Sequence, residues 1–422
     1  MKERKRTTMG KYFSDVVDQA IEDIYYCYDR ERAASALQPL ADAANAGDAD
    51  AAYILSRCTS GPDYSWEYHP FRADDEATER LIHQAVRGGS AMAVLGAMRC
   101  GMLTPELEEA MPFATLKDAW SVVYDKAQRG CLFCQNLIGG SYYWLDVVRI
   151  ENKGPEDFPD KAGFGAWLRE STLKCVSWYE SAFKGGMGVA GRNLYNLYQK
   201  GEEGWLPPQP EKAEEVARLG ASLGYPDWQK IYAGLILGRE GRTQEALDAY
   251  LAAAKQGQLN AWFYIGKVYQ EGKLVPKDCP RAMEYYELGL QDPDDVGCNN
   301  RAGELLFLGG DGVPQDYGRA VQLFERAHAQ NNTWANDMLA TCRLFGYGCQ
   351  KDPARALRLF QEANYSTNLL NYGLGTIYTE GLGVPADIKK GVEYFQKCQN
   401  YAPAQEALLK FKKTLFGKWV RR

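Results

Sequence analysis

The chain has 422 residues, of which 49 are lysine or arginine and 55 are aspartate or glutamate, so its net charge is −6. This acidic balance argues against a general nucleic-acid-binding protein, which relies on basic side chains to neutralise phosphates. Hydrophobic residues make up 45% of the chain and charged residues 25%, as in folded water-soluble proteins. The sequence contains no run of about twenty apolar residues, so it predicts no membrane span.

The N-terminal part is predicted to be a short tail followed by irregular helix pairs. Residues 1–12 are basic and lead into no apolar segment, so we predict a disordered tail, no signal peptide and a cytoplasmic location. Residues 13–186 are predicted to form divergent helix pairs whose second helices end in small residues and glycine. Two insertions, near 59–73 and 146–167, interrupt these pairs. Both are candidates for carrying specificity, because insertions in repeat arrays emerge on one surface.

A clearer helix pair lies at residues 300–330. In its first half, Leu305 belongs to an apolar helix face and Gly303 leaves room for a neighbouring helix. Glycines then break the helix, and Asp316 is placed to cap a second helix whose apolar face contains Phe324. A single pair cannot bury such a face alone, so the sequence predicts a stacked array.

The same unit recurs at nearly constant spacing. The capping aspartate returns after 38, 36 and 35 residues, and each time an alanine or glycine follows four residues later and an aromatic residue one turn after that. The capping residues are Asp278, Asp316, Asp352 and Asp387, the small residues are Ala282, Ala320, Ala356 and Gly391, and the aromatic residues are Tyr286, Phe324, Phe360 and Phe395. The loops before the aspartates read LVPKD, GVPQD, GCQKD and GVPAD.

This pattern closely resembles the Sel-one-like repeat (SLR) family, a relative of the tetratricopeptide repeat. The shared features are a small-x-x-x-Leu-Gly-x-x-Tyr-x-x-Gly helix, a Gly-Val-Pro-x-Asp loop and an Ala-x-x-Tyr/Phe-Tyr/Phe helix. Residues 187–401 are identified as regular SLR or tetratricopeptide-like repeats, with four specific copies between residues 260 and 400. The resemblance implies an all-α, right-handed α/α superhelical solenoid of about ten helix pairs. Residues 402–422 are predicted to form its C-terminal capping helix.

Groups for catalysis or metal binding are not brought together by local spacing. The three histidines, His69, His83 and His328, lie in different units, and the glycine-rich loop 309–312 lacks the Lys-Ser/Thr of a phosphate-binding loop. Cys131 and Cys134 have the spacing of a redox or metal pair, but no matching ligands lie nearby, so core packing is favoured. We predict no catalytic residue, no metal site, no cofactor and no enzymatic activity. An enzyme with a site assembled across repeats is kept as an alternative.

The resemblance also indicates where a partner would bind, because the first helix of each tetratricopeptide-like pair lines the concave face. Positions two before the Leu and one after the Gly of the motif form a row of aromatic, amide and charged residues, which include favoured hot-spot types. The predicted partner-binding residues are Tyr53, Arg57, Arg192, Asn196, Phe263, Lys267, Asn300, Glu304, Asp337 and Tyr372. Replacing Arg192, Phe263, Asn300 and Tyr372 by alanine is expected to weaken partner binding without unfolding the chain.

The expected function is that of a protein-interaction scaffold or adaptor that binds one or more proteins or peptides through this face. Neither a nucleic acid nor a membrane is expected among its partners. The resemblance implies a bacterial protein, since bacterial SLR proteins commonly act in assembly, signalling or interactions with hosts and competitors. A dedicated regulator or immunity-type inhibitor of one partner protein is the first alternative, and the enzyme with a site in the concave groove is the second.

Overall fold

The structure is a computed structural model that describes residues 11–27, 29–60, 71–201, 206–363 and 366–422. Apart from one C-terminal β-hairpin, the regular structure in these ranges is helical, which confirms the predicted all-α class. None of the helices in these ranges combines the length and the apolar character that a membrane crossing requires. The chain divides into two compact units, Met1–Leu235 and Ile236–Arg422. The predicted boundary after residue 186 marked where the repeats become regular in sequence, whereas the boundary after Leu235 separates two compact units.

The first unit consists of helices that pack in sequential pairs. Their bounds are α1 Asp15–Ile21, α2 Arg30–Ser35, α3 Leu37–Asn45, α4 Ala49–Thr59, α5 Asp75–Arg87, α6 Ala91–Arg99, α7 Pro105–Glu109, α8 Leu116–Gln128, α9 Leu132–Tyr143, α10 Val147–Ile150, α11 Lys161–Gly185, α12 Ala190–Lys200, α13 Pro210–Ser222 and α14 Pro226–Ile236. A π-helical turn, Glu22–Tyr26, continues α1. The pairs are α1 with α3, α4 with α5, α6 with α8, α9 with α11 and α12 with α13.

The second unit continues the pairing with more regular lengths. Its helices are α15 Thr243–Lys255, α16 Ala261–Glu271, α17 Cys279–Gly289, α18 Val296–Leu308, α19 Tyr317–Ala329, α20 Asn336–Phe345, α21 Pro353–Glu362, α22 Asn368–Glu380, α23 Ile388–Lys397 and α24 Ala402–Leu408. Here α16 pairs with α17, α18 with α19, α20 with α21 and α22 with α23. Among the described residues, nine pairs therefore lie within the two units, close to the predicted number.

The capping aspartates hold the second helices as the sequence predicted. The side chain of each accepts a hydrogen bond of 2.9 Å from the backbone N–H three residues later, which satisfies one amide that the helix itself leaves open. The first helices α16, α20 and α22 end at glycines with left-handed φ, at which other residues would be strained. Each repeat is therefore bounded by signals visible in the sequence.

Three second helices in the second unit, α17, α19 and α23, bury an aromatic ring against a glycine on the first helix of their own repeat. A Cβ atom added to Gly303 would lie only 2.5 Å from the ring of Phe324, which is 1% exposed. The pairs Gly266 with Tyr286 and Gly375 with Phe395 have the same distance. The ring fills the space that the missing side chain leaves, which explains the small residue in the repeat motif.

The predicted capping helix over 402–422 is wrong beyond its first two turns. Helix α24 ends at Leu408, and the chain then forms an antiparallel hairpin of β1, Phe411–Lys413, and β2, Trp419–Arg421. Between the strands, the backbone N–H of Gly417 donates to the carbonyl of Thr414 at 2.9 Å, and Gly417 has a φ of +77°. The turn at residues 414–417 reverses the chain, and glycine adopts its left-handed φ without strain.

The predicted tail and the two insertions are only partly within the described residues. Residues 1–10 of the tail and 61–70 of the first insertion lie outside them. Tyr12, at the end of the tail, is ordered, because its O–H donates to the carbonyl of Arg129 at 2.9 Å. The second insertion contains α10 and a 3₁₀ turn at Pro155–Asp157, and α11 already begins inside it. It is therefore largely helical.

Candidate protein-binding surface

Three of the ten predicted partner-binding residues are buried, and the other seven are exposed or half-buried. Tyr53, Asn300 and Asp337 are only 2%, 5% and 4% exposed, and this burial corrects the prediction that they face a partner. The amide of Asn300 donates to Asn332 at 2.9 Å, and Asp337 accepts from the hydroxyl of Thr367, the N-cap of α22, at 2.7 Å. Polar residues at these positions connect neighbouring segments of the stack, because buried polar groups need hydrogen-bond partners.

In the first unit, the predicted residues have different surroundings. The Nε of Arg57, on α4, donates to the phenolic oxygen of Tyr25 at 3.1 Å. The exposed Arg192, on α12, lies 3.9 Å from the carboxylate of Asp227, and the half-buried Asn196 lies one turn further along the same helix. Arg57 thus stabilises the packing of α4, while Arg192 and Asn196 are accessible and their role in binding stays a prediction.

The buried phenol of Tyr25 gives the first unit a pH dependence. Burial raises the pKa of Tyr25 to about 12, and Arg57 offsets part of this shift. The pKa of tyrosine in an unfolded chain is about 10, so the folded chain binds this proton more tightly. The resulting stability is complete below pH ~10 and is lost as the pH rises through ~12. We expect the unfolding free energy to fall by about 1 kcal/mol more in the wild type than in Tyr25→Phe between pH 9 and 11, as measured by urea denaturation. Equal losses in both proteins would contradict this assignment.

Glu304 and Lys267, two further predicted residues, are engaged in contacts of the second unit. Glu304 accepts hydrogen bonds of 2.9 Å from Gln270 of α16 and from Arg301 of its own helix. Lys267 lies 3.8 Å from the carboxylate of Glu271. Glu304 therefore connects the first helices of two successive repeats, and a partner would have to compete with these contacts.

Tyr372 belongs to a continuous series of aromatic side chains in the second unit, which we call the aromatic ladder. In spatial order it consists of Tyr317, Tyr347, Phe345, Tyr372 and Tyr401. Successive ring centroids are 4.8, 5.6, 5.9 and 5.7 Å apart, and the first three contacts are stacked. The ladder extends from the start of α19 to the turn before α24, so it crosses several repeats.

The ladder is anchored to the core on one side and open on the other. Its anchors are the buried rings of Phe307, 5.5 Å from Tyr317, and Phe395, 5.8 Å from Tyr372. Tyr347 is 39% exposed, and the other four rings are half-buried. Burial raises the pKa of Tyr372 and of Tyr401, with their neighbouring phenols adding to the shift, so both remain neutral phenols. Such rings offer rigid apolar area together with hydrogen-bonding O–H groups.

Sequence reasoning identified Tyr372 but missed the other members of the ladder. Tyr347 stands in the loop after α20, at the position that Asp311 and Leu382 occupy in neighbouring repeats, counted back from the capping aspartate. Tyr317 is the first residue of α19, where the other regular repeats have Cys279, Pro353 and Ile388. At both positions an aromatic residue replaces a non-aromatic one of the neighbouring repeats, and this difference could have indicated the ladder from the sequence.

Consecutive helix pairs with capped second helices and glycine–aromatic contacts define an α/α repeat scaffold of the tetratricopeptide-like class. The Sel1 repeat model matches residues 190–225, 261–291, 296–332, 335–366 and 370–397. The chain belongs to the Sel1 repeat family, whose fold is generally used for protein binding and is typically non-catalytic. Four matches confirm the copies predicted between residues 260 and 400. The fifth covers α12 and α13, which lie within the predicted regular repeats of residues 187–401.

Three solved structures resemble the chain at low sequence identity. A protective antigen of uropathogenic Escherichia coli with an SLR fold is 18% identical, with 88% of this chain and 89% of the antigen covered and a TM-score of 0.41. A Sel1 repeat protein from Oxalobacter formigenes is 22% identical, covering 53% of this chain and 94% of that protein, with a TM-score of 0.41. An immunity protein from Pseudomonas aeruginosa is 19% identical over 55% of this chain and 74% of its own, with a TM-score of 0.30. No curated protein matches the chain.

Proposed function

We propose that this chain is a cytoplasmic, bacterial scaffold or adaptor that binds a protein or peptide partner through the aromatic ladder. The carrying observation is the continuous stack from Tyr317 to Tyr401, which keeps one side in the core and leaves Tyr347 open to solvent. Tyrosine is enriched at binding hot spots because it buries a large area and offers a polar group at low entropic cost. Eight of the eleven cysteines are buried, as expected of small hydrophobic side chains in a reducing compartment.

The side chains of the ladder indicate what kind of partner surface would fit them. Stacked rings favour aliphatic or aromatic side chains laid across their faces, and phenol groups favour backbone carbonyls or carboxylates as acceptors. A segment that crosses successive rings at spacings of 4.8 to 5.9 Å would contact several repeats at once. The partner is therefore expected to present an extended segment or a flat apolar surface.

The test is affinity capture from the native cell, followed by quantitative mass spectrometry. The variant Tyr347→Ala/Tyr401→Ala removes two rings of the ladder, and we expect it to retain at least tenfold less partner than the wild type. Tyr264→Ala is the matched control, because Tyr264 is 38% exposed in the same unit but does not belong to the ladder. Equal partner recovery by the wild type and the ladder variant would overturn the proposal.

A second variant, Phe263→Ala/Lys267→Ala, tests two half-buried residues of the predicted concave row in the same experiment. Loss of the partner with this variant, but not with the ladder variant, would move the binding site to the first-helix face. A single partner recovered in equimolar amount, whose activity the chain inhibits, would indicate a dedicated regulator or immunity-type inhibitor. Several partners in smaller amounts would indicate an adaptor.

A further inference from the structure

The C-terminal hairpin holds its turn in a defined position. Phe411 is buried, with its ring centroid 6.4 Å from that of Phe395 on α23. Arg421 on the other strand lies 2.7 Å from the carboxylate of Glu380 and donates to the carbonyl of Thr379 at 3.0 Å. Each strand is thus fixed to the last repeat, so the turn between them is presented on a firm base.

The turn itself exposes two large apolar side chains. Leu415 and Phe416 are 103% and 99% exposed, and they occupy the two central positions of the turn closed by Thr414 and Gly417. The backbone N–H of Thr414 also donates to the carbonyl of Lys418 at 2.8 Å. Adjacent, fully exposed leucine and phenylalanine side chains in a hydrogen-bonded turn are costly in water unless a partner covers them.

Cations surround this apolar tip. Residues 386–422 contain nine lysines and arginines against three acidic residues, whereas the whole chain has a net charge of −6. Lys410, Lys412, Lys413 and Lys418 are all exposed, and within the described ranges no carboxylate forms an ion pair with them. Lys413 lies 5.2 Å from the ring of Trp419, the aromatic residue at the base of the tip. The hairpin therefore has an apolar turn flanked by exposed lysines.

We propose that this hairpin docks the chain on a lipid bilayer surface that contains anionic phospholipid, which goes beyond the proposed protein-binding function. Leu415 and Phe416 enter the boundary between head groups and acyl chains, while the four lysines meet the phosphates. The layering of the hairpin, apolar at the tip and cationic behind it, matches the layering of such a membrane. A protruding tip also suits a bilayer better than a protein pocket, which would have to be shaped for it. The sequence alone had predicted no membrane partner.

The proposal is tested with the purified full chain and sedimenting vesicles. Vesicles of phosphatidylcholine with 30% phosphatidylglycerol are compared with vesicles of phosphatidylcholine alone. We expect the partition coefficient to be at least tenfold higher on the anionic vesicles and to fall when salt is raised, because surface charge is screened. Absence of binding to the anionic vesicles, or equal binding to both kinds, would overturn the proposal.

Variants separate the tip from other exposed apolar residues. Leu415→Ser/Phe416→Ser is expected to bind anionic vesicles at least tenfold more weakly, and Lys412→Gln/Lys418→Gln several-fold more weakly. The matched control, Leu274→Ser/Leu308→Ser, changes two exposed leucines of the same unit and is expected to bind like the wild type. Unchanged vesicle binding by the tip variant, together with loss of a captured protein, would show that the tip is a protein contact. The ladder variant should keep full vesicle binding, so the two proposals fail independently.

Discussion

Replacing Phe324 by alanine is expected to lower the unfolding free energy by about 3–5 kcal/mol, the range for a fully buried phenylalanine. Its ring is 1% exposed and lies against Gly303 of α18 and 6.4 Å from the ring of Phe307. Truncation would leave a cavity between the two helices of one repeat, and neighbouring backbone cannot collapse into it. The measurement is urea denaturation followed by circular dichroism.

The matched control for this substitution is Phe416→Ala. Phe416 is fully exposed, so its loss should change the unfolding free energy by less than about 0.5 kcal/mol. Because stability in repeat proteins is spread over neighbouring interfaces, the loss from Phe324→Ala should also shorten the cooperative unit. Similar effects of the two substitutions would contradict the assignment of Phe324 to the core.

Replacing Gly303 by valine is expected to destabilise the chain by about 2–3 kcal/mol through overpacking. A Cβ at this position would lie 2.5 Å from Phe324, well inside van der Waals contact, and the ring that would have to move is buried. The control is Gly318→Ala on α19, where the closest atom outside the helix backbone is Asp316 Oδ1 at 3.4 Å. That exchange should stabilise by about 0.4–1 kcal/mol, because alanine favours the helix.

Phe324→Ala and Gly303→Val should also couple, since they act on the same contact. Phe324→Ala opens the space that valine at position 303 needs, so the double variant should lose at least about 1 kcal/mol less than the sum of the single losses. Strict additivity would mean that the glycine and the ring do not fill one shared space.

The repeat fold was predictable because its signals are local. Asp278, Asp316, Asp352 and Asp387 cap the helices that follow them, and each cap depends only on residues three positions apart. The small residue and the aromatic ring recur in fixed register for the same reason. The hairpin was missed because residues 402–413 are compatible with a helix. What decides otherwise is the turn at residues 414–417 together with the contacts of the two strands, Phe411 with α23 and Arg421 with α22.

The candidate site was less predictable because exposure depends on neighbouring repeats. Asn300 and Asp337 stand at positions expected to face a partner, but both are buried and form hydrogen bonds to Asn332 and Thr367. The four-site alanine variant that includes Asn300 would therefore combine lost binding with lost stability, since an unmade hydrogen bond leaves a buried polar group alone. The ladder combines loop, helix-start and helix residues from several repeats, and no single repeat contains its pattern.

The central claim, that the aromatic ladder contacts a protein partner, is tested most directly by photocrosslinking in the native cell. A photoreactive benzoyl-phenylalanine is introduced at Tyr347 in one strain and at Tyr264 in another, because the two side chains are almost equally exposed, at 39% and 38%. A discrete crosslinked protein from position 347 and none from position 264 is the predicted result. The absence of a crosslink at position 347, or the same crosslinks at both positions, would contradict the claim.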